Sequence, residues 1–391
     1  MKFEHKLMFN NFRKEDFKPV INLLNKKNPV LTQSKSVKKF EQNWSKWLGV
    51  KHSIFVNSGA SANYLSIFIL REMVGSGEII VPSLTWVSDI ASVILNGFKP
   101  IFVDVNPSNL GMNEEQIFKK INKKTKAVFV THVLGFNSLS QKLLNELKKK
   151  KITLIEDVCE SHGATFKNKK LGTFGLMSNF SFYYAHHMST IEGGMISTNN
   201  SKVYEMARML RSHGMLREIE SNKLKAYYKK KNKSLNSDFI FMMPGFNMRN
   251  NEIGALIGIN QLKRLNSNNQ KRKKNYKLFL SRIDKAKFRT DFDINGSCNY
   301  AFTLIMKNKN FSNRRKLENT MKKNNIEFRK GMAGGGNQLM QPYMKKYKDK
   351  FQKHNFKEVN HIHDFGYYIG NYPDLKEYKI KKICDILNSS F

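Results

Sequence analysis

Cysteine is scarce in this chain: there are three among 391 residues, Cys159, Cys298 and Cys384, far apart in the sequence. They are too few and too scattered for a disulfide framework or a paired C-x-x-C metal site, so no metal centre is expected. Long apolar runs are absent too, none approaching the roughly 20 residues that cross a bilayer. The first segment, MKFEHKLMFNNFRKEDF, mixes charges and lacks the apolar centre of a secretory signal. A cytoplasmic location is expected, with no membrane association. Acidic residues are outnumbered 31 to 68, for a net charge of +37. Such an excess ordinarily suggests nucleic acid or an anionic surface. Here the basic residues are spread among abundant Asn, Ile and Phe, as an AT-rich genome would encode. The dense runs at 148–151, 229–231 and 271–274 read as solvated helix faces and loops. No nucleic-acid partner is expected, and the charge serves to attract a phosphorylated substrate.

What is present describes a globular chain: 40% hydrophobic and 12% aromatic residues, long enough for one large core and a smaller one. Between residues 50 and 200, short β-rich apolar segments alternate with helical patterns. The strands expected are Ser53–Val56, Ile79–Val81, Ile101–Val103, Ala127–Val130, Thr153–Ile155, Asn179–Phe182 and Met195–Ser197. Strands of this kind, with helices such as Ser61–Val74 between them, predict an α/β fold with a mostly parallel, seven-stranded sheet covered on both faces. Ligands then sit beyond the carboxyl ends of the strands. Three parts are expected: an arm over 1–30, a large domain over 31–283 and a small C-terminal α/β domain over 284–391. Residues Leu216–Asp238, rich in Lys, Asn and Ser, read as a mobile surface loop.

The chemistry-bearing segments fall at strand ends. Asn57-Ser58-Gly59-Ala60-Ser61-Ala62 is a strand-to-helix turn in which Gly59 admits an anion, and the amides of Gly59, Ala60 and Ser61 open a helix. Val81-Pro82-Ser83-Leu84-Thr85-Trp86 follows the next strand. Leu154-Ile155-Glu156-Asp157 closes a strand in two carboxylates. The most informative stretch is NFSFYYAHHMSTIEGGMIST, Asn179 to Thr198, where an apolar segment leads to His186-His187 and then to Gly193-Gly194. Two histidines at such a place can be merely polar residues at the end of a buried strand. An imidazole with a pKa near 6.5 can also move protons at working pH.

Together these segments resemble the DegT/DnrJ/EryC1/StrS family of fold-type I pyridoxal phosphate enzymes, which act on nucleotide-linked keto sugars. The resemblance runs over about residues 30 to 390, with the motifs in the family's order. The family's aminotransferases carry a lysine six residues before the Glu-Gly-Gly; counting back from Glu192 gives His186. A lysine amine bonds covalently to the cofactor aldehyde, whereas an imidazole cannot. Within the family that histidine marks the 3-dehydratases, which remove a sugar hydroxyl. The resemblance implies pyridoxal 5'-phosphate or pyridoxamine 5'-phosphate held without a covalent bond, with His186 as the catalytic base. Gly59, Ala60, Ser61 and Ser181 are implied for the cofactor phosphate, Trp86 for stacking on the ring, and Asp157 for its nitrogen. Glu160 stands, within EDVCESHGA, where the family usually has glutamine near the ring hydroxyl. In PGFNMR, Asn247 matches an asparagine that reaches the cofactor of a neighbouring subunit, which implies a homodimer with shared active sites. The stretch Phe328–Pro342 resembles the dehydratases' Gly-Asn…Gln-Pro loop, and Arg329 is the implied substrate-binding residue, by a charge-assisted fork. His361–Asn371 resembles their C-terminal signature.

The implied reaction has two parts. Glutamate first gives its amino group to the cofactor. The amine then meets the C4 ketone of a GDP- or CDP-linked 4-keto-6-deoxy sugar, and the C3 hydroxyl is lost. One branch of the family uses an iron–sulfur cluster with four cysteine ligands; three distant cysteines do not suffice, so none is expected. Two other readings stand beside this one. A sugar aminotransferase needs a lysine at the cofactor, and none lies between Lys170 and Lys202. A non-catalytic scaffold or nucleic-acid-binding protein would have no use for Asp157, Ser181 and Trp86 together.

Overall fold

Each of the seven apolar segments between residues 50 and 200 forms a strand of one sheet. The computed structural model describes residues 3–347 and 356–391. In chain order the strands are β1 (His52–Val56), β2 (Glu78–Pro82), β3 (Lys99–Val103), β4 (Thr125–Thr131) and β5 (Thr153–Asp157). A two-stranded hairpin follows, β6 (Thr165–Phe166) with β7 (Lys169–Lys170), and then β8 (Met177–Ser181) and β9 (Gly194–Thr198). The order across the large sheet is β1-β9-β8-β5-β4-β2-β3. β2 pairs in parallel with β3 and β4, β4 with β5, and β5 with β8. Only β9 runs against its neighbours, β1 and β8. The sheet is therefore mostly parallel, as expected, and mixed at β9.

Helices cover the sheet: α1 (Lys14–Leu24), α2 (Lys35–Leu48), α3 (Gly59–Val74), α4 (Val87–Leu95), α5 (Glu114–Lys120), α6 (Gln141–Lys149), α7 (Ser201–Arg211), α8 (Asn222–Lys231) and α9 (Glu252–Arg282). Side chains cap several of their N-termini, Ser58 for α3, Asn200 for α7 and Asn251 for α9, each accepting from backbone amides of the first turn. The amphipathic stretch at 252–265 and the basic stretch after it are one continuous helix. A second sheet, β10 (Ala301–Ile305), β11 (Phe328–Lys330) and β12 (Gly366–Gly370), has the order β10-β12-β11 and is wholly antiparallel. Helices α10 (Phe311–Lys323), α11 (Lys357–Phe365) and α12 (Glu377–Asn388) accompany it. It meets α9 through Phe302, whose ring stacks on Phe279 at 4.5 Å. Residues near the chain start lie against this sheet: His5 Nε2 is 2.9 Å from the Gly370 carbonyl, and Leu7 N donates to Glu327.

One sequence expectation is corrected. Leu216–Asp238 is not simply a loop, because Leu216 and Ile219 are buried and α8 forms within it, capped by Ser221. Lys, Leu, Ala and Tyr favour helix well enough without a core. The low apolar content reflects a helix with no fully buried residue, anchored by Tyr228, half-buried against the cluster of Met209, Leu216, Ile219 and Ile240. Among the described residues no helix is long and apolar enough to cross a membrane.

Two buried carboxylates hold the sheet to its surroundings. Glu41 of α2 meets Arg211 of α7 at 2.5 Å, both side chains buried. Glu156 of β5 accepts from the amides of Gly172, Phe174 and Gly175 at 2.8, 2.9 and 2.7 Å. Its side chain thus points away from Asp157, as alternation along a strand requires, and its role is to anchor the chain entering β8.

Candidate active site

The carboxyl ends of β1, β2, β4, β5 and β8 converge on a cavity of about 480 Å³. Its lining includes Gly59 and Ala60 after β1, Trp86 after β2, Thr131 at the end of β4, Asp157 and Glu160 from β5 onward, Ser181 at the end of β8, and His186. Arg329 of β11 contributes from the second sheet. The parallel strands make this happen, because each crossover delivers the same end of the next strand to the same side.

Close approach explains the glycines. A Cβ on Gly59 would lie 2.6 Å from Ser181 Cβ, so only glycine lets the start of α3 touch the end of β8. A Cβ on Gly194 would lie 2.1 Å from the Ser58 carbonyl oxygen, which ties β9 to the same turn. The resulting cradle, free amides at a helix start with a serine hydroxyl beside them, fits a phosphate group.

His186 lies in the tight connection between β8 and β9, its amide bonded to the Tyr183 carbonyl. Among the described residues its Nδ1 is buried without a hydrogen-bond partner, so Nε2 is the nitrogen left to the cavity. Burial lowers its pKa to about 4; Asp157 opposes that shift and Arg272 adds to it. The imidazole is therefore neutral and able to accept a proton at working pH. His187 points the other way, fully buried, with Nε2 2.8 Å from the Cys298 carbonyl. It is a packing residue.

Ile191, in the same connection, holds φ at +74°. A β-branched residue adopts that backbone only under constraint. Exchange for asparagine, which tolerates it, is expected to stabilise the protein by about 1 kcal/mol, read as a higher denaturant midpoint.

Asp157 Oδ1 accepts from Cys159 N at 2.8 Å, and Oδ2 from Asn63 Nδ2 at 2.7 Å, which fixes the carboxylate toward the cavity. Glu160 accepts from Leu134 N at 2.7 Å and faces the Tyr300 hydroxyl at 3.4 Å. Burial raises its pKa to about 7. Trp86 is 55% exposed at the mouth of the cavity. Arg329 is exposed as well, 3.6 Å from Glu327.

Two of the sequence candidates stand apart. Ser61 bonds to Ser58 through hydroxyl and amide and does not line the cavity, since capping α3 occupies it. Asn247 is exposed, accepts from Arg249 Nε at 3.0 Å and lies outside the lining. The glycine-rich loop after β11 meets protein: Gln338 N donates to the Ser83 carbonyl, and Asn337 bridges to Leu84. It steadies the segment that carries Trp86.

Residues absent from the sequence reading also take part. Tyr300, just before β10, enters the lining with no local pattern to mark it, and Tyr368 of β12 enters from within the C-terminal signature, which assigned it no role. Asn63 and Asp89 sit behind Asp157. A buried acid on the apolar helix VSDIASVIL was a signal for the latter. Among the described residues, no lysine lines the cavity. Among the described residues, no group of three or more His, Cys, Asp or Glu side chains gathers to hold a metal ion.

Comparison with known proteins agrees with this geometry. The profile described as the DegT/DnrJ/EryC1/StrS aminotransferase family matches residues 11–388. GDP-4-keto-6-deoxy-D-mannose 3-dehydratase of Escherichia coli O55:H7 is 31% identical over 364 residues, 91% of this chain and 92% of that protein. GDP-perosamine synthase of Vibrio cholerae is 27% identical over 93% of this chain and 92% of its own. The crystal structure of GDP-4-keto-6-deoxymannose-3-dehydratase with a trapped PLP-glutamate geminal diamine superposes with a TM-score of 0.88 at 29% identity. It covers 98% of this chain and 100% of that one.

Proposed function

The chain belongs to the DegT/DnrJ/EryC1/StrS aminotransferase family, and from that premise we propose that it is a pyridoxal phosphate-dependent 3-dehydratase of a GDP-linked 4-keto-6-deoxy sugar. The observation that carries the reading is a cofactor-type cavity with His186 in it and, among the described residues, no lysine along its lining. An aminotransferase would need an amine there. The relatives named for GDP sugars support the nucleotide, and the glutamate bound in the related crystal structure supports glutamate as amino donor.

The residues present fit the cofactor. Gly59, Ala60 and Ser181 would hold its phosphate, Trp86 would cover the ring, and Asp157 would face the ring nitrogen. When bound, the cofactor supplies an amine for the sugar ketone and a ring that accepts electrons. His186 takes a proton at Nε2 and returns it to the departing C3 hydroxyl as general acid. Asp157 holds the ring nitrogen protonated by charge. Arg329 offers a planar fork to the sugar diphosphate. Ala60 lacks the hydroxyl of the family's usual threonine but keeps the backbone amide. Asn247, exposed and off the cavity, suits a contact with the cofactor of a second copy, so the working unit is a homodimer. The product is destined for a cell-surface polysaccharide such as O-antigen, and the enzyme works in the cytoplasm.

The test is spectroscopic. Purified protein given pyridoxal phosphate should gain an absorbance band that borohydride does not fix to the chain and that glutamate bleaches. Covalent fixation would make it an aminotransferase, and no uptake would remove the reading. In the loaded protein the band should titrate with a midpoint near 7, because Glu160 is neutral below that pH and charged above it. Glu160→Gln should abolish the titration while leaving the band.

A further inference from the structure

A second carboxyl group stands against Asp157 on the side away from the cavity. Asp89, in the first turn of α4, is completely buried. One amide nitrogen, Asn63 Nδ2 of α3, lies 2.6 Å from Asp89 Oδ1 and 2.7 Å from Asp157 Oδ2, which brings the two carboxyl groups together. The same nitrogen is 3.1 Å from Ser88 Oγ, so three acceptors compete for its two hydrogens. Asp89 Oδ2 accepts from Thr131 Oγ1 at 2.5 Å and from the Thr85 hydroxyl. Thr131 itself lines the cavity.

Two carboxylates this close in a dry setting do not both ionise. Among the described residues, the titratable groups that face Asp89 are Asp157 at the end of β5, Cys159 just after it, and Tyr343 from the turn Pro342–Tyr347. None of them brings positive charge. Burial first, and Asp157 second, hold the Asp89 carboxyl well above the usual carboxylate range, against the pull of the two threonine hydroxyls.

We propose that Asp89 carries a proton shared with Asp157, so that Asp157 is the single anion presented to the cofactor ring, and that Asp89 is a positioning residue that orients the Asp157 carboxylate. The assignment to the cofactor rests on the function proposed above; the shared proton does not. The pair keeps one proton and one negative charge. A donor bond from Asp89 fixes which oxygen of Asp157 is free for the ring nitrogen.

A sign follows for stability. In the unfolded chain Asp89 loses its proton near its ordinary pKa of about 3.9. In the folded protein it keeps the proton to a much higher pH. Folding therefore takes up a proton above that ordinary value, and stability falls as pH rises until the folded group also ionises. Asparagine at 89 mimics the neutral acid and has no such proton to take up.

The experiment uses the full-length protein freed of cofactor. Melting temperatures of wild type and Asp89→Asn are measured from pH 5 to pH 8. The variant should gain on wild type steadily as pH rises, whereas a difference that does not change with pH overturns the proposal. Glu160 titrates in both proteins and cancels from the difference. The infrared band of a protonated carboxylic acid should persist at pH 8 in wild type and be absent in Asp89→Asn; its absence from wild type overturns the proposal as well. A second arm adds pyridoxal phosphate. Asp89→Asn should bind it within a few-fold of wild type, while Asp89→Leu, which cannot donate to Asp157, should lose about tenfold or more, the worth of one hydrogen bond to a charged group. Equal binding by the two variants reduces Asp89 to a space filler and overturns the positioning role. If wild type takes up no cofactor, the function reading fails, and the melting and infrared arms still decide whether the proton is shared.

Discussion

Asparagine in place of His186 should lower the rate of dehydration by roughly 10²–10⁴-fold, the usual contribution of a positioned general base. His186 lines the cavity while its Nδ1 is buried, so a single nitrogen faces the reacting groups. With a pKa near 4 the ring is neutral at neutral pH, so one of its two nitrogens is free to accept a proton. Asparagine preserves a polar side chain of similar reach but accepts no proton, so cofactor uptake should change much less than turnover. Single-turnover kinetics on the amine-loaded protein would separate the two, and a loss smaller than about tenfold would move the base elsewhere. His186→Lys is the companion variant. It restores a primary amine to the cavity, and borohydride should then fix the cofactor to the chain, readable as a mass increase of the whole protein.

The second large effect concerns stability. Glu156→Ala should cost about 3–5 kcal/mol: a buried donor left without an acceptor costs about 1–3 kcal/mol, and of the three backbone amides that lose theirs together, Gly172 N is fully buried and the other two are half-buried. Those amides belong to Gly172, Phe174 and Gly175, and His132 Nε2, at 3.3 Å, loses a contact too. Glu156→Gln keeps the shape and one acceptor oxygen, and should cost about half as much. Denaturant unfolding followed by tryptophan fluorescence measures both. Because Asp157 is the next residue on β5, the alanine variant should also weaken cofactor binding. A loss below about 1 kcal/mol would mean that water replaces the carboxylate at no cost.

The strands and the cofactor-type turns were legible because they are local. A buried parallel strand is a short apolar run, and the turn after it carries the ligand groups within a few residues. Gly59, Asp157, Ser181 and His186 follow that rule, and all four line the cavity. Where an expectation rested on composition, it was weaker. Residues Leu216–Asp238 looked like a loop because few of them are apolar, yet α8 forms there behind a serine cap, with Tyr228 packed against the cluster around Leu216 and Ile219. Ser61 was expected at the phosphate, but its hydroxyl and amide are turned to Ser58. A one-dimensional motif states which residue follows the glycine, and the first turn of a helix decides where it points.

By itself the sequence determined the sheet, the family and the absence of a lysine from the cofactor segment, because each depends on residues adjacent in the chain. Only the tertiary structure decided what surrounds Asp157. Asn63, Asp89 and Thr131 come from α3, α4 and β4 and meet only when the sheet closes. Tyr300 and Tyr368 arrive from a second sheet more than a hundred residues away. The charge on a buried carboxylate depends on every neighbour within a few ångströms, and chain order does not record who those neighbours are.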